Sequence, residues 1–200
     1  MTKKLIAVDI DEVLAANAPS FVAYTNQQWG MNLSVDDYHE HWAQLWKTDH
    51  DETLKRAKQY NHSGVMESMS HFEEANATLT QLTKQYRLVI VTARRKELAE
   101  ITQQWIERHY AGIFSDIHHA GIWDTEHPEA STFTKADICT KIQASYLIDD
   151  QSKHCNAAQG VGIQAIMFGD YPWNRSEKLV EGVTRRANWH AVLEYFSGRN

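Results

Sequence analysis

Leu5-Ile6-Ala7-Val8-Asp9-Ile10-Asp11-Glu12-Val13-Leu14 is the stretch that decides the fold. A short, unbroken apolar run ending in acid reads as a buried strand of a parallel sheet, with neighbours on both sides. In open α/β sheets ligands bind beyond the carboxyl ends of the strands, which is where Asp9 and Asp11 fall. Residues i and i+2 of an extended chain point to the same side, so the two carboxylates converge on one volume. Anions gathered there need a partner, because an unpaired buried charge is costly. A hard, oxygen-seeking cation such as Mg2+ meets that need. An ordinary strand with an acidic turn after it also fits these ten residues, so the rest of the chain has to decide.

Outward from this stretch, strand and helix patterns alternate. Phe21, Val22, Tyr24, Thr25 and Trp29 follow a helical period, with Gly30 as its stop. Leu88-Val89-Ile90-Val91 and Tyr146-Leu147-Ile148 are two further buried strands, ending at Thr92 and at Asp149-Asp150. Ile113-Phe114 with Ile117 suggests a shorter strand, followed by a loop from His118 to Ser131, and Val161 to Met167 suggests a last strand. Helices are expected from Phe72 to Leu82, Leu98 to Ile106, Thr134 to Ile142 and Ser152 to Gln159, and around Trp189 to Phe196. Thr134 or Ser131 would cap the third of these. The pattern predicts an α/β fold: a Rossmann-like parallel sheet with helices on both faces. The first strand should lie at its centre, between those ending at Thr92 and Asp149.

From Met31 to about His71 the chain differs in character, being rich in Trp, His, Asp and Gln. Trp42, Leu45 and Trp46 form one apolar group, and Leu54, Ala57 and Tyr60 suggest a short helix. Too many aromatics are present for a disordered linker. The expected division is a core of residues 1–14 and 72–200 with a helical insertion over 15–71.

With 200 residues, 42% apolar and 23% charged, the chain has globular composition, enough for one domain carrying an insertion. A net charge of −6 argues against nucleic acid as the partner. No apolar run approaches the ~20 residues of a membrane span, and the first residues do not form a signal peptide. Cys139 and Cys155 lack metal-site spacing and read as reduced thiols, so a soluble, cytoplasmic protein is expected.

Asp9 and Asp11, Thr92, Lys135, and Asp149 with Asp150 thus gather at strand ends and loops, and each type suits phosphoryl transfer. One carboxylate can attack phosphorus; a second can protonate the leaving oxygen and later activate water. A further carboxylate site can hold a metal, and a hydroxyl and a lysine can bind phosphoryl oxygens. Plainer readings stand beside these: Thr92 as a helix cap, Lys135 as a solvated lysine, Arg94 and Arg95 as a solvated helix start. His118 and His119 are adjacent on an extended chain and point apart, which speaks against a shared metal.

In this order the motifs resemble the haloacid-dehalogenase-like phosphatase superfamily. Asp9-Ile10-Asp11-Glu12-Val13 is similar to its first motif, Val91-Thr92 to its second, Lys135 to its third and Ile148-Asp149-Asp150 to its fourth. Within it, the chain looks most like the 5′-nucleotidase group that includes the 5′(3′)-deoxyribonucleotidases. The resemblance implies Asp9 as nucleophile and Asp11 as acid/base. It implies Thr92, Lys135 and Arg94 at the substrate phosphate. Mg2+ would be held by Asp9, Asp149 and, through its backbone carbonyl, Asp11, with Asp150 either a further ligand or only orienting the loop. The insertion falls where the superfamily places a cap, and the implied substrate is a small phosphomonoester such as a nucleoside monophosphate. A sugar-phosphate phosphatase and a non-catalytic binding module on the same fold are the alternatives. Two departures stand out. Glu12 occupies a position where many members have glycine, and Ala93-Arg94 follows Thr92 where deoxyribonucleotidases have Ser-Pro. Both leave the phosphatase chemistry intact; the second bears on deoxyribonucleotide preference.

Overall fold

The computed structural model describes residues 3–121 and 134–198. Six parallel strands form one sheet: β1 (Lys4–Val8), β2 (Tyr86–Thr92), β3 (Ile117–His119), β4 (Tyr146–Asp149), β5 (Gln164–Phe168) and β6 (Thr184–Arg186). Their spatial order is β3-β2-β1-β4-β5-β6, so β1 lies between the strands that end at Thr92 and Asp149, as the apolar runs imply. Val8 stands opposite Ile90 on one side and Ile148 on the other. Asp9 and Asp149 therefore leave the sheet side by side.

Alternate residues of the buried strands feed two cores, the arrangement that covers a parallel sheet on both faces. Ile6, Val8, Leu88, Ile90, Tyr146 and Ile148 pack beneath α5 (Glu73–Leu82), α6 (Ala99–Tyr110) and α9 (Trp189–Ser197). Leu5, Ala7, Val89, Val91 and Leu147 face α7 (Lys135–Lys141) and α8 (Ser152–Gly160), which contribute Cys139 and Cys155. Both thiols are free and buried. Among the described residues no helix is long and apolar enough to cross a membrane.

Between β1 and α5 the chain is helical: α1 (Asn17–Trp29), α2 (Trp42–Trp46), α3 (His50–Asn61) and α4 (Val65–Ser68). Gly30 ends α1 in the left-handed conformation at φ 61°, where a glycine carries no steric penalty. This segment leaves and returns through adjacent backbone. Ala16 donates to Ser70 O at 2.9 Å, and Phe72 donates to Leu14 O at 2.9 Å. At its centre Phe21 lies 5.4 Å from Trp46 in a near-parallel stack, 4.8 Å from Trp42 and 5.3 Å from Tyr60.

Two expected elements shift, and one strand is new. Ile113 and Phe114 lie in the turn before β3 and pack against the core from there, apolar without being extended. Val161 to Ile163 form a turn through Gly162 at φ 83°, so β5 begins only at Gln164. A sixth strand, absent from the sequence reading, lies outside β5; the loop after β5 therefore starts inside the sheet and not at its edge. Thr134 is the cap of α7: its side chain accepts from Asp137 N, while Asp137 accepts from Thr134 N. Ser131 and most of the loop expected from His118 to Ser131 lie outside the described residues.

Candidate active site

Each of the expected site residues sits at the carboxyl end of a strand or at the start of α7. The reciprocal cap between Thr134 and Asp137 fixes where α7 begins and aims its first residue, Lys135, under the sheet end. Lys135 is 1% exposed, with Nζ 2.8 Å from Asp9 Oδ1 and 2.7 Å from Asp149 Oδ2. Asp9 Oδ1 has this charge beside it without an aligned hydrogen-bond donor. Asp149 Oδ1 accepts from Gln151 N at 2.9 Å. Asp9, Asp149 and Asp150 each bring a carboxylate oxygen within 4.8 Å of the others, and all three are buried.

Three buried carboxylates around one ammonium leave an excess of negative charge. Burial pushes the Asp9 carboxyl up to about 7, opposed by Lys135 and reinforced by Asp149 and Asp11. Burial, together with the charges of Asp149 and Asp9, holds Asp150 well above the usual carboxylate range. Against its own burial penalty, Lys135 is raised by the two carboxylates it touches. An all-oxygen cluster short of positive charge fits a hard divalent cation, which Asp9, Asp149 and Asp150 could hold. The Asp11 carboxylate is not part of that cluster.

Asp11 pairs with Arg94. The guanidinium Nη2 lies 2.7 Å from Oδ1 and Nε 3.1 Å from Oδ2, a two-point contact. Arg94 is 5% exposed, so it is not a solvated helix start, and in this arrangement its charge faces Asp11. Thr92, fully buried at the end of β2, accepts from Arg94 N at 3.1 Å, leaving its hydroxyl proton free to donate. His119 lies beside the Arg94 carbonyl, Nδ1 to O 3.2 Å, and His118 pairs with Asp116 at 3.3 Å.

Several residues around the cluster have contacts that the sequence pattern does not reveal. Glu12, buried at φ 58°, occupies the backbone conformation that glycine adopts without penalty. Its Oε1 accepts from Ala18 N at 2.7 Å and so caps α1, whose own N-cap residue, Ala16, offers no side-chain acceptor. Tyr171 and Trp173 stack on each other at 4.7 Å and 9°. Tyr171 donates to Glu12 O at 2.7 Å, and Trp173 Nε1 donates to Asp150 Oδ2 at 2.7 Å. Asn17 joins Tyr60 (2.8 Å) to Tyr38 (3.0 Å), and burial together with the charges of Glu12 and Asp11 raises the Tyr38 phenol.

With this geometry, comparison with known proteins is decisive. Residues 3–197 match the model of the family described as 5′ nucleotidase, deoxy (pyrimidine), cytosolic type C protein. The chain belongs to that family. It is 23% identical to "Putative nucleotidase YqfW" of Bacillus subtilis over 197 residues, covering 96% of this chain and 93% of the relative. It is 24% identical over 199 residues to a "Putative 5′(3′)-deoxyribonucleotidase" of Staphylococcus epidermidis, covering 98% of each. A haloacid dehalogenase-like hydrolase, SP0104 of Streptococcus pneumoniae, shares the fold with a TM-score of 0.71 at 17% identity, over 97% of this chain and 98% of that one. Within this 5′-nucleotidase family the chain is a phosphatase of the haloacid-dehalogenase type, acting on a small phosphorylated substrate.

Proposed function

We propose that the chain is a Mg2+-dependent 5′-nucleotidase that hydrolyses nucleoside or deoxynucleoside monophosphates through an aspartyl-phosphate on Asp9. The observation that carries this reading is the buried Lys135 bridging Asp9 and Asp149. A lysine so placed neutralises part of the carboxylate charge while leaving Asp9 at the sheet end, within reach of a phosphate.

In the proposed cycle a carboxylate oxygen of Asp9 attacks phosphorus and the bond to the nucleoside oxygen breaks. Asp11 gives its proton to that departing oxygen. It then removes a proton from water, which attacks the aspartyl-phosphate, releasing inorganic phosphate and the Asp9 carboxylate. Arg94 orients the ionised Asp11 that takes the proton from water. Thr92 and Lys135 donate to phosphoryl oxygens, and a contact from Arg94 would share its guanidinium with Asp11. Asp9, Asp149, Asp150 and the Asp11 carbonyl would hold Mg2+. When bound, the ion offsets the negative charge of nucleophile and phosphate.

Residues 15–71 would serve as the cap, with 1–14 and 72–200 as the core. The paired backbone at Ala16–Ser70 and Leu14–Phe72 gives such a cap a narrow neck. Tyr38, Asn17 and Tyr60 would offer it polar handles for a nucleoside, beside the aromatics. A base stacked on an aromatic gains ~1–3 kcal/mol, about one to two orders of magnitude in binding. The test is kcat/KM for a pyrimidine monophosphate over ribose 5-phosphate with Mg2+ present. A preference of about tenfold or more is expected. A ratio near one would make the enzyme a general phosphatase of small metabolites.

A further inference from the structure

We infer that Trp173 is a positioning residue for the metal-binding carboxylates, acting through Asp150 and setting how tightly the divalent cation is held. The inference rests on the metal reading proposed above and extends it to a residue outside the four motifs.

Trp46, Trp105 and Trp189 give their indole N–H groups to neutral oxygens: Thr25 Oγ1, Met69 O and Val13 O. Trp173 gives its own to a carboxylate, Asp150 Oδ2, at 2.7 Å, the short distance of a charge-assisted bond. Gln151 Nε2 donates to the same oxygen at 3.0 Å. With two donors fixed on Oδ2, the carboxylate plane is set and its other oxygen is left for a ligand role. Partners behind a metal ligand act in this way: they orient it and keep it ready to bind.

The loop is built to hold the indole still. Asn174 is fully buried and uses its whole amide. Nδ2 donates to Asp150 O and Phe168 O, while Oδ1 accepts from Tyr171 N and Arg185 Nη1. Tyr171 stacks on the indole and ties itself to Glu12 O. Tyr38 also meets the indole edge-on at 5.3 Å. The loop after β5 thus grips the turns after both β1 and β4.

The test uses Mn2+ as the probe, its aqueous EPR signal reporting the free ion, with Trp173→Phe as the variant that keeps a ring and removes the N–H. Mn2+ should bind ~10–100-fold more weakly, and half-saturating Mg2+ in turnover should rise by a similar factor. kcat at saturating Mg2+ should fall much less. In an Asp150→Asn background the same substitution should add little, because the two act as one unit. Wild type that fails to bind Mn2+ would overturn the metal reading itself. Wild type that binds, with Trp173→Phe binding equally well, overturns this inference alone. Should Trp173→Phe not fold, Gln151→Met removes the other donor to the same oxygen. Weaker Mn2+ binding there supports the anchoring of Oδ2, and unchanged binding overturns it.

Discussion

The sheet end around Asp9 and the centre of the helical segment around Phe21 bury side chains of opposite kinds. At the sheet end, Asp9, Glu12, Asp149, Asp150, Arg94 and Lys135 are all buried, and burial shifts several of them away from their charged forms. Around Phe21 the buried groups are rings, with Trp46 and Tyr60 in contact and Trp42 half-buried beside them. Burying rings stabilises a fold, and burying unmatched carboxylates opposes it. Stability and chemistry are thus drawn from separate regions, so substitutions should separate them.

The largest effect is expected from Asp9→Asn. Turnover should drop to the detection limit while the metal-free protein keeps or gains thermal stability, since a neutral amide replaces an acid that burial disfavours. Asp11→Asn should follow, lowering kcat ~10²–10⁴-fold, the usual contribution of acid–base assistance. Wild-type turnover in Asp9→Asn would exclude the covalent route.

In the other region Phe21→Ala should do the reverse. Removing a fully buried ring costs ~3–5 kcal/mol of stability. Denaturant unfolding should show this loss, and the folded protein should still release phosphate from p-nitrophenyl phosphate. If stability were untouched and turnover lost, the rings would belong to the reaction and the contrast would fail.

How far the sequence showed these two regions follows from distance along the chain. Strand ends are local: an apolar run followed by Asp9, Thr92 or Asp149 marks its own position, and β1, β2 and β4 meet as those runs imply. β6 is three half-buried residues, Thr184 to Arg186, with no apolar run to betray it. Lys135 was found through its motif position, but its bridge to two carboxylates depends on how α7 docks. The Asp11–Arg94 pair spans 83 residues and the Trp173–Asp150 bond 23. Such contacts are set by sheet register and loop packing, for which local pattern carries no signal.

A pH dependence sharpens the contrast further. With its carboxyl pushed up to about 7, Asp9 holds a proton below that pH when no metal is bound. A metal has to displace it, so apparent Mg2+ affinity should weaken by up to about tenfold per pH unit below 7. Calorimetric titrations between pH 5.5 and 8 would show the slope and the released proton. A flat profile would mean that Asp9 is not among the ligands.

A second pH effect is expected where the two regions join, at Glu12. Its carboxylate caps α1 and lies close to Asp150, and burial followed by the Asp150 charge raises its carboxyl well above the usual range. The native state thus holds a proton that the unfolded chain has already lost above its ordinary pKa. By linkage, stability from this group is full at low pH and declines as pH rises through that window, by at most ~1.4 kcal/mol per unit. Glu12→Gln keeps an oxygen to accept from Ala18 N and has no proton to lose. Relative to wild type its melting temperature should be nearly unchanged at pH 5 and should pull ahead steadily towards pH 8. A gap that stays constant with pH would show that Glu12 is ionised without penalty, and that the charged region ends before the first helix begins.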